Sequence, residues 1–215
     1  MKNILIFIAY CLLGIFMIFS FRQLTETINF HELNSPLAQF SFSLDTPPSQ
    51  SLQGTITSLS GEVQWQSRIA TEPAKITKPR QVQQGEEVKT LDSGQLTIVF
   101  PEIAGITVYP KTEIDIIQTL PTNILIGQNS GAADYKNLNG NPLSVRSQNL
   151  LIKINQGEIM ISVDKNNPHI TVNVITGSVT AAYNDIDFIT KLIDVSSGES
   201  LLFRTDTRRV TVYED

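Results

Sequence analysis

From Gly54 onward the chain alternates apolar and polar residues again and again. The runs are Leu96-Thr97-Ile98-Val99-Phe100, Ile106-Thr107-Val108-Tyr109, Ile152-Lys153-Ile154, Ile159-Met160-Ile161-Ser162-Val163, Ile170-Thr171-Val172-Asn173-Val174 and Val210-Thr211-Val212-Tyr213. Successive side chains of a strand point to opposite faces, so such a run buries one face and solvates the other. The runs are short, rich in β-branched residues and bounded by Gly, Pro, Asn or Asp, which is the signature of strands. No 3.6-residue period competes with it. The 54–215 region is therefore expected to be all-β. The inward set is Val88, Ile98, Phe100, Val108, Ile159, Ile161, Val172 and Val174. The outward set is Lys89, Thr97, Thr107, Ser162, Thr171 and Asn173. A slip of one residue would exchange the two sets.

Glycine recurs with a companion: Gly61-Glu62-Val63, Gly85-Glu86-Glu87-Val88, Gly157-Glu158-Ile159, Gly177-Ser178-Val179 and Gly198-Glu199-Ser200-Leu201. Each reads as a tight turn with positive φ that launches a strand. Repeated turn-plus-strand units favour a rolled or β-helix-like sheet, with a β-sandwich as the alternative. Residues 121–149 break the rhythm with Gly127, Gly131, Gly140, Pro142 and several Asn. They read as a loop excursion. A bulky residue at Gly85 is accordingly expected to do more harm than one at Gly131.

Before this domain lies one apolar segment, Ile4 to Phe21, with no charge inside. As a helix it is about 27 Å long, close to the roughly 30 Å hydrocarbon core of a bilayer. It is longer than a secretory h-region and no small-x-small site closes it, so it reads as an uncleaved transmembrane anchor over 1–21. Lys2 and the amino terminus favour a cytoplasmic N-terminus and an extracytoplasmic bulk, in the cell membrane. Cys11 lies inside this segment with Tyr10 before it, and reads as an apolar buried thiol. Residues 22–53, with Pro36, Pro47 and Pro48, read as a membrane-proximal stem.

The stretch VQQGEEVKTLDSGQLTIVFPEIAGITVYPKTEIDI, Val82 to Ile116, resembles the core of the FecR-type domain, the family named for the ferric-citrate regulator. Gly85, Glu86, Val88 and Thr90 carry its opening, Gly94, Leu96, Ile98 and Phe100 its middle, and Ile106, Val108, Pro110, Thr112 and Ile114 its end. Gly54 to Trp65 resembles the first hairpin. Ile154 to Val163 and Val195 to Phe203 resemble later strands. The usual Asp-Gly turn after the Phe is replaced here by Pro101 to Gly105. The resemblance implies an outer β domain that faces another envelope component. Its best-known members add a cytoplasmic anti-sigma segment. Only Met1 to Asn3 precede the anchor here, so the expectation is an outer domain without that segment.

Chemistry is sparse. His31 and His169 lie far apart and do not make a zinc pattern. Ser162-Val163-Asp164-Lys165 fits Ser-x-x-Lys but falls in an alternating strand without its partner motifs. Asp185, Asp187 and Asp194 lack the spacing of a calcium loop. Gly177 has no helix behind it to cradle a phosphate. Trp65, Tyr109 and Tyr183 read as core aromatics before ligand contacts. No catalytic, cofactor or metal residue is nominated, and no enzyme is expected. The net charge of −5 argues against nucleic acid, which calls for a basic patch. The expected partners are the lipid bilayer, through Ile4–Phe21, and an envelope protein or wall glycan. The expected function is a membrane-anchored binding or scaffold module. The alternative is a signalling component that regulates a sigma factor through a separately encoded cytoplasmic partner.

Overall fold

The computed structural model describes residues 51–214. The expected anchor, and the expected stem up to residue 50, lie outside the described residues. Among the described residues no helix is long and apolar enough to cross a membrane. Everything regular in them is strand.

Fifteen strands join in one hydrogen-bonded sheet. One arm runs through β4 (Gln81–Val82), β1 (Gly54–Ser60), β6 (Gln95–Phe100) and β7 (Ala104–Val108). A second arm runs through β3 (Ala74–Ile76), β2 (Val63–Gln66), β5 (Glu87–Thr90) and β8 (Glu113–Leu120). Both arms meet on β9 (Asn123–Asn137). The rest follows through β10 (Leu143–Ser147), β11 (Leu150–Val163), β12 (His169–Asn184), β13 (Thr190–Ser196), β14 (Glu199–Arg204) and β15 (Arg209–Glu214).

Three long strands let one sheet enclose one core. β9 pairs with β8 and β10 over its first half and with β7 and β11 over its second. β12 pairs with β14 near its start and with β13 near its end. Each change of neighbour falls next to an irregularity in register, which bends the strand and increases its twist. Ile56, Ile98, Ile106, Tyr135, Ile159 and Val174 thereby form one buried row across six strands. Burying an aliphatic side chain of this size stabilises the fold by about 1.5–3 kcal/mol.

The alternation is met at the residues it named. Val88, Ile98, Phe100, Val108, Ile159, Ile161, Val172 and Val174 are buried, while Lys89, Thr97, Thr107, Ser162, Thr171 and Asn173 are half-buried or exposed. Four expectations are corrected. The β-helix-like form does not arise, because its rungs would stack in parallel and only β9 with β10 pairs that way. Every other pairing is antiparallel, some between strands joined by a hairpin turn, such as β6 with β7 and β11 with β12, and others between strands distant in the chain, such as β1 with β6 and β12 with β14. The loop excursion at 121–149 is instead β9 and β10, with Ile124, Ile126, Tyr135, Leu143 and Val145 in the core. Gly157 and Gly177 do not open strands either. They sit inside β11 and β12, paired with each other.

Gly131 lies within β9 at φ +79°, and a Cβ there would meet Lys111 O at 2.5 Å and Thr112 Cα at 2.5 Å. At Gly85, with φ +86°, the three atoms nearest to a Cβ all belong to the Arg68 side chain, the first at 2.7 Å. Backbone yields less readily than the end of a flexible side chain, so the expected ranking of these two glycines is reversed.

Candidate interaction surface

The residues that carry the motif of Val82 to Ile116 turn out to hold the fold. Thr90 and Thr112, both buried, tie the end of β5 to the start of β8. Thr90 N–H donates to Thr112 O at 2.8 Å, and Thr112 N–H donates to Thr90 Oγ1 at 2.9 Å. Thr90 Oγ1 in turn donates to a carbonyl, with Tyr109 O in reach. Thr112 Oγ1 accepts the N–H of Ala132 at 2.9 Å, which fastens the kink of β9. Buried backbone groups need such partners, and hydroxyls supply them where the ladder is interrupted.

The aromatics are engaged as well. Trp65 Nε1 donates to Glu86 Oε2 at 3.0 Å, and the Gln83 N–H donates to the same oxygen at 3.0 Å. The Arg80 guanidinium lies 3.4 Å above the Trp65 ring centroid. Tyr109 donates to the Asp134 carboxylate, which together with burial raises its pKa. Tyr183 packs on Phe203 with ring centroids 5.4 Å apart.

The other singled-out residues do not come together. Ser162 is exposed on β11, and Lys165 Nζ lies 3.2 Å from Glu113 Oε2. His169 opens β12. Asp194 accepts a bond from Thr180 Oγ1 at 2.7 Å. Among the described residues no group of three His, Cys, Asp or Glu is placed to hold a metal ion. A groove of about 560 Å³ runs past Lys89, Lys111, Ser130 and Lys165. Its lysines are tied to carboxylates: Lys89 and Lys165 to Glu113 at 3.3 and 3.2 Å, and Lys111 to Asp92 at 3.5 Å.

What stands out lies at the β12–β13 hairpin. Ile186, Phe188, Ile189 and Leu192 are 72%, 73%, 54% and 69% exposed. Scattered exposed apolar residues are ordinary, but contiguous ones mark contact surfaces. Asp185 builds the turn. Its Oδ1 accepts the N–H of Ile189 at 2.9 Å and of Asp187 at 3.0 Å. These bonds, that of Ile189 foremost, hold its pKa below the ordinary carboxylate value. The Arg208 guanidinium sits 4.7 Å from the Phe188 ring centroid. The outer face adds Leu151, which lies in register with Ala182 and so with Leu192.

Asp185, Asp187 and Asp194 belong to this hairpin, but as turn and rim residues. The apolar residues between them were not nominated from the sequence. Ile186-Asp187-Phe188-Ile189 alternates like the strands around it. The turn carries it outward through the Asx-type bonds of Asp185, the bond from Phe188 N–H to Asp185 O at 3.1 Å and the left-handed Phe188 at φ 60°.

No family model matches the chain, and no curated protein matches it. Solved structures do. Two crystal structures of a "putative anti-sigma factor" from Parabacteroides distasonis share the fold, at 14% and 12% sequence identity, each with a TM-score of 0.52. Each match covers 60% of this chain and 59% of the other, so this chain spans less than two thirds of their length. The likeness is one of fold alone, over the part of this all-β domain that the matches cover.

Proposed function

We propose that this domain is the outer, protein-binding module of a FecR-like envelope signalling component, held at the cell membrane by Ile4–Phe21 with its bulk extracytoplasmic. The sigma-regulating part of such a system would then lie in a separately encoded cytoplasmic partner. The observation that carries the reading is the β12–β13 hairpin, whose tip exposes Ile186 and Phe188 to solvent. Fold likeness to anti-sigma factors supports signalling over passive scaffolding. A wall glycan is the weaker candidate partner. Sugars stack on open aromatic faces, and Trp65, the only tryptophan in the chain, has Arg80 over its ring. An enzyme is not part of the reading, and neither is nucleic acid, given the net charge of −5.

The test is affinity purification of the full chain from detergent-solubilised membranes. The wild-type chain is expected to retain a stoichiometric protein partner. The Ile186→Asp, Phe188→Asp double variant is expected to lose it while keeping its β circular dichroism. An unchanged partner in the variant would contradict the assignment of the surface.

A further inference from the structure

Among the described residues the outer edge of β13 is open, since this strand pairs with β12 and with no other. Ladder bonds bracket the pair: Ser197 N–H donates to Gly177 O and Asp185 N–H to Ile189 O, both at 3.0 Å. In an antiparallel ladder the bonds to one neighbour recur at every second residue. Lys191, Ile193 and Val195 therefore bond toward β12, and Thr190, Leu192 and Asp194 turn their N–H and C=O groups outward. The next outward N–H, that of Ser196, is taken by Glu199 Oε2 at 2.6 Å. On the outer face the row Leu151, Ala182, Leu192 runs up to this edge and stops there.

We propose that this edge pairs with the same edge of a second copy of the chain, antiparallel, with Leu192 opposite Leu192 about a twofold axis. The proposal rests on the reading of this hairpin as a protein-binding surface and names the partner. Self-complementarity is what selects a second copy. Centred on Leu192, the joint sets Thr190 opposite Asp194 and Lys191 opposite Ile193, so no like charges meet. It also continues the apolar row without a break, as Leu151, Ala182, Leu192 and then the same three residues of the second copy in reverse. A joint centred on Lys191 would set lysine against lysine, and one centred on Asp194 carboxylate against carboxylate, both unfavourable directly across strands. A joint centred on Ile193 would set Leu192 against Asp194. An inward-pointing charge commonly protects an edge strand from pairing. Here that charge, Lys191, is matched by Asp185 at 3.5 Å. A twofold joint also closes, whereas pairing with a different edge would leave another edge open and propagate.

The chain has a single cysteine, Cys11, so Cys11→Ala gives a cysteine-free background for oxidative cross-linking of the full chain in membranes. Bonded residues directly opposite have Cα atoms about 5.5 Å apart, within the roughly 4.4–6.8 Å that a disulfide spans. Leu192→Cys is expected to give a covalent homodimer. Thr190→Cys alone is expected to give roughly tenfold less, because its own counterpart would lie about 13 Å away along the strand. Thr190→Cys mixed with Asp194→Cys is expected to restore the dimer. Equal cross-linking by Leu192→Cys and Thr190→Cys would overturn the register. No homodimer from Leu192→Cys, or its capture of a different protein instead, would overturn the second copy as partner. The last outcome would leave the hairpin as a binding surface, whereas loss of both the homodimer and the partner dependence on Phe188 would remove that reading too.

Discussion

Gly157 and Gly177 face each other across β11 and β12, each left-handed, with no room for a side chain between the strands. A Cβ on Gly157 would lie 2.0 Å from Thr176 O, and one on Gly177 would lie 1.8 Å from Gln156 O. The pair sits between two register shifts of β11 and β12, one at Ile154/Gln156 and one at Glu158/Ile159. It lets their two halves serve different neighbours.

Gly177→Ala is therefore expected to cost well over the roughly 1–2 kcal/mol of the left-handed backbone alone, since a strand must also move. Gly198→Ala shares the sign of φ, at +83°, but a Cβ there meets nothing within 4 Å. It should cost only the backbone term. Urea melts of the two variants measure the gap.

A second pair of glycines tests the correction to β9. Gly131→Val should destabilise more than Gly85→Val, because Gly131 meets the backbone of Lys111 and Thr112 while Gly85 meets the movable Arg68 side chain. Denaturant midpoints decide the order, and the opposite ranking would return residues 121–149 to a pliable loop.

Why that stretch misled is physical. β9 hides polar residues whose partners lie on β9 itself, on β11 and in the loop that follows β9. Gln128, fully buried, donates to Gly131 O at 2.9 Å and to Ile161 O at 3.1 Å, and accepts from Tyr135 Oη at 3.0 Å. Asn137 donates to Ile154 O at 2.9 Å and also reaches Asn141 O at 2.8 Å. A polarity pattern cannot distinguish a satisfied buried amide from a solvated one. Where polar residues stayed outside, as in β6 and β7, alternation alone gave strand, face and register. The hairpin tip was illegible for the converse reason, since its apolar residues imitate a strand while the Asp185–Ile189 turn, with Phe188 at φ 60°, carries them out.

Tyr135 is buried, which pushes its phenol pKa far up and keeps it a neutral donor. Tyr135→Phe should leave Gln128 Oε1 without this partner, at a cost of about 1–3 kcal/mol. A thermal melt indistinguishable from wild type would contradict the network.

Glu87 and Glu113 should move stability with pH in opposite directions. Burial first, then the charges of Glu113 and Asp115, raise the pKa of Glu87. Its penalty is absent below the unfolded pKa and complete above the raised folded one. For Glu113 burial is the largest influence and raises the pKa. The hydrogen bonds and charges of Lys165 and Lys89 together outweigh it, so the net pKa is lowered. Its contribution is present above the unfolded pKa and lost as pH falls through the folded one. Glu87→Gln is expected to raise the melting temperature at pH 7 and Glu113→Gln to lower it. Both differences should fade as the pH drops below about 4, where carboxylates protonate. Melting curves across that range read the signs directly.

The central claim is that the β12–β13 hairpin is where this domain meets another protein. A photo-reactive amino acid placed at Phe188 of the full chain in living cells tests it most directly, with Thr57, exposed on β1, as the control position. The account predicts a discrete protein adduct from position 188 and none from position 57. No adduct from 188, or the same adducts from both positions, would contradict it.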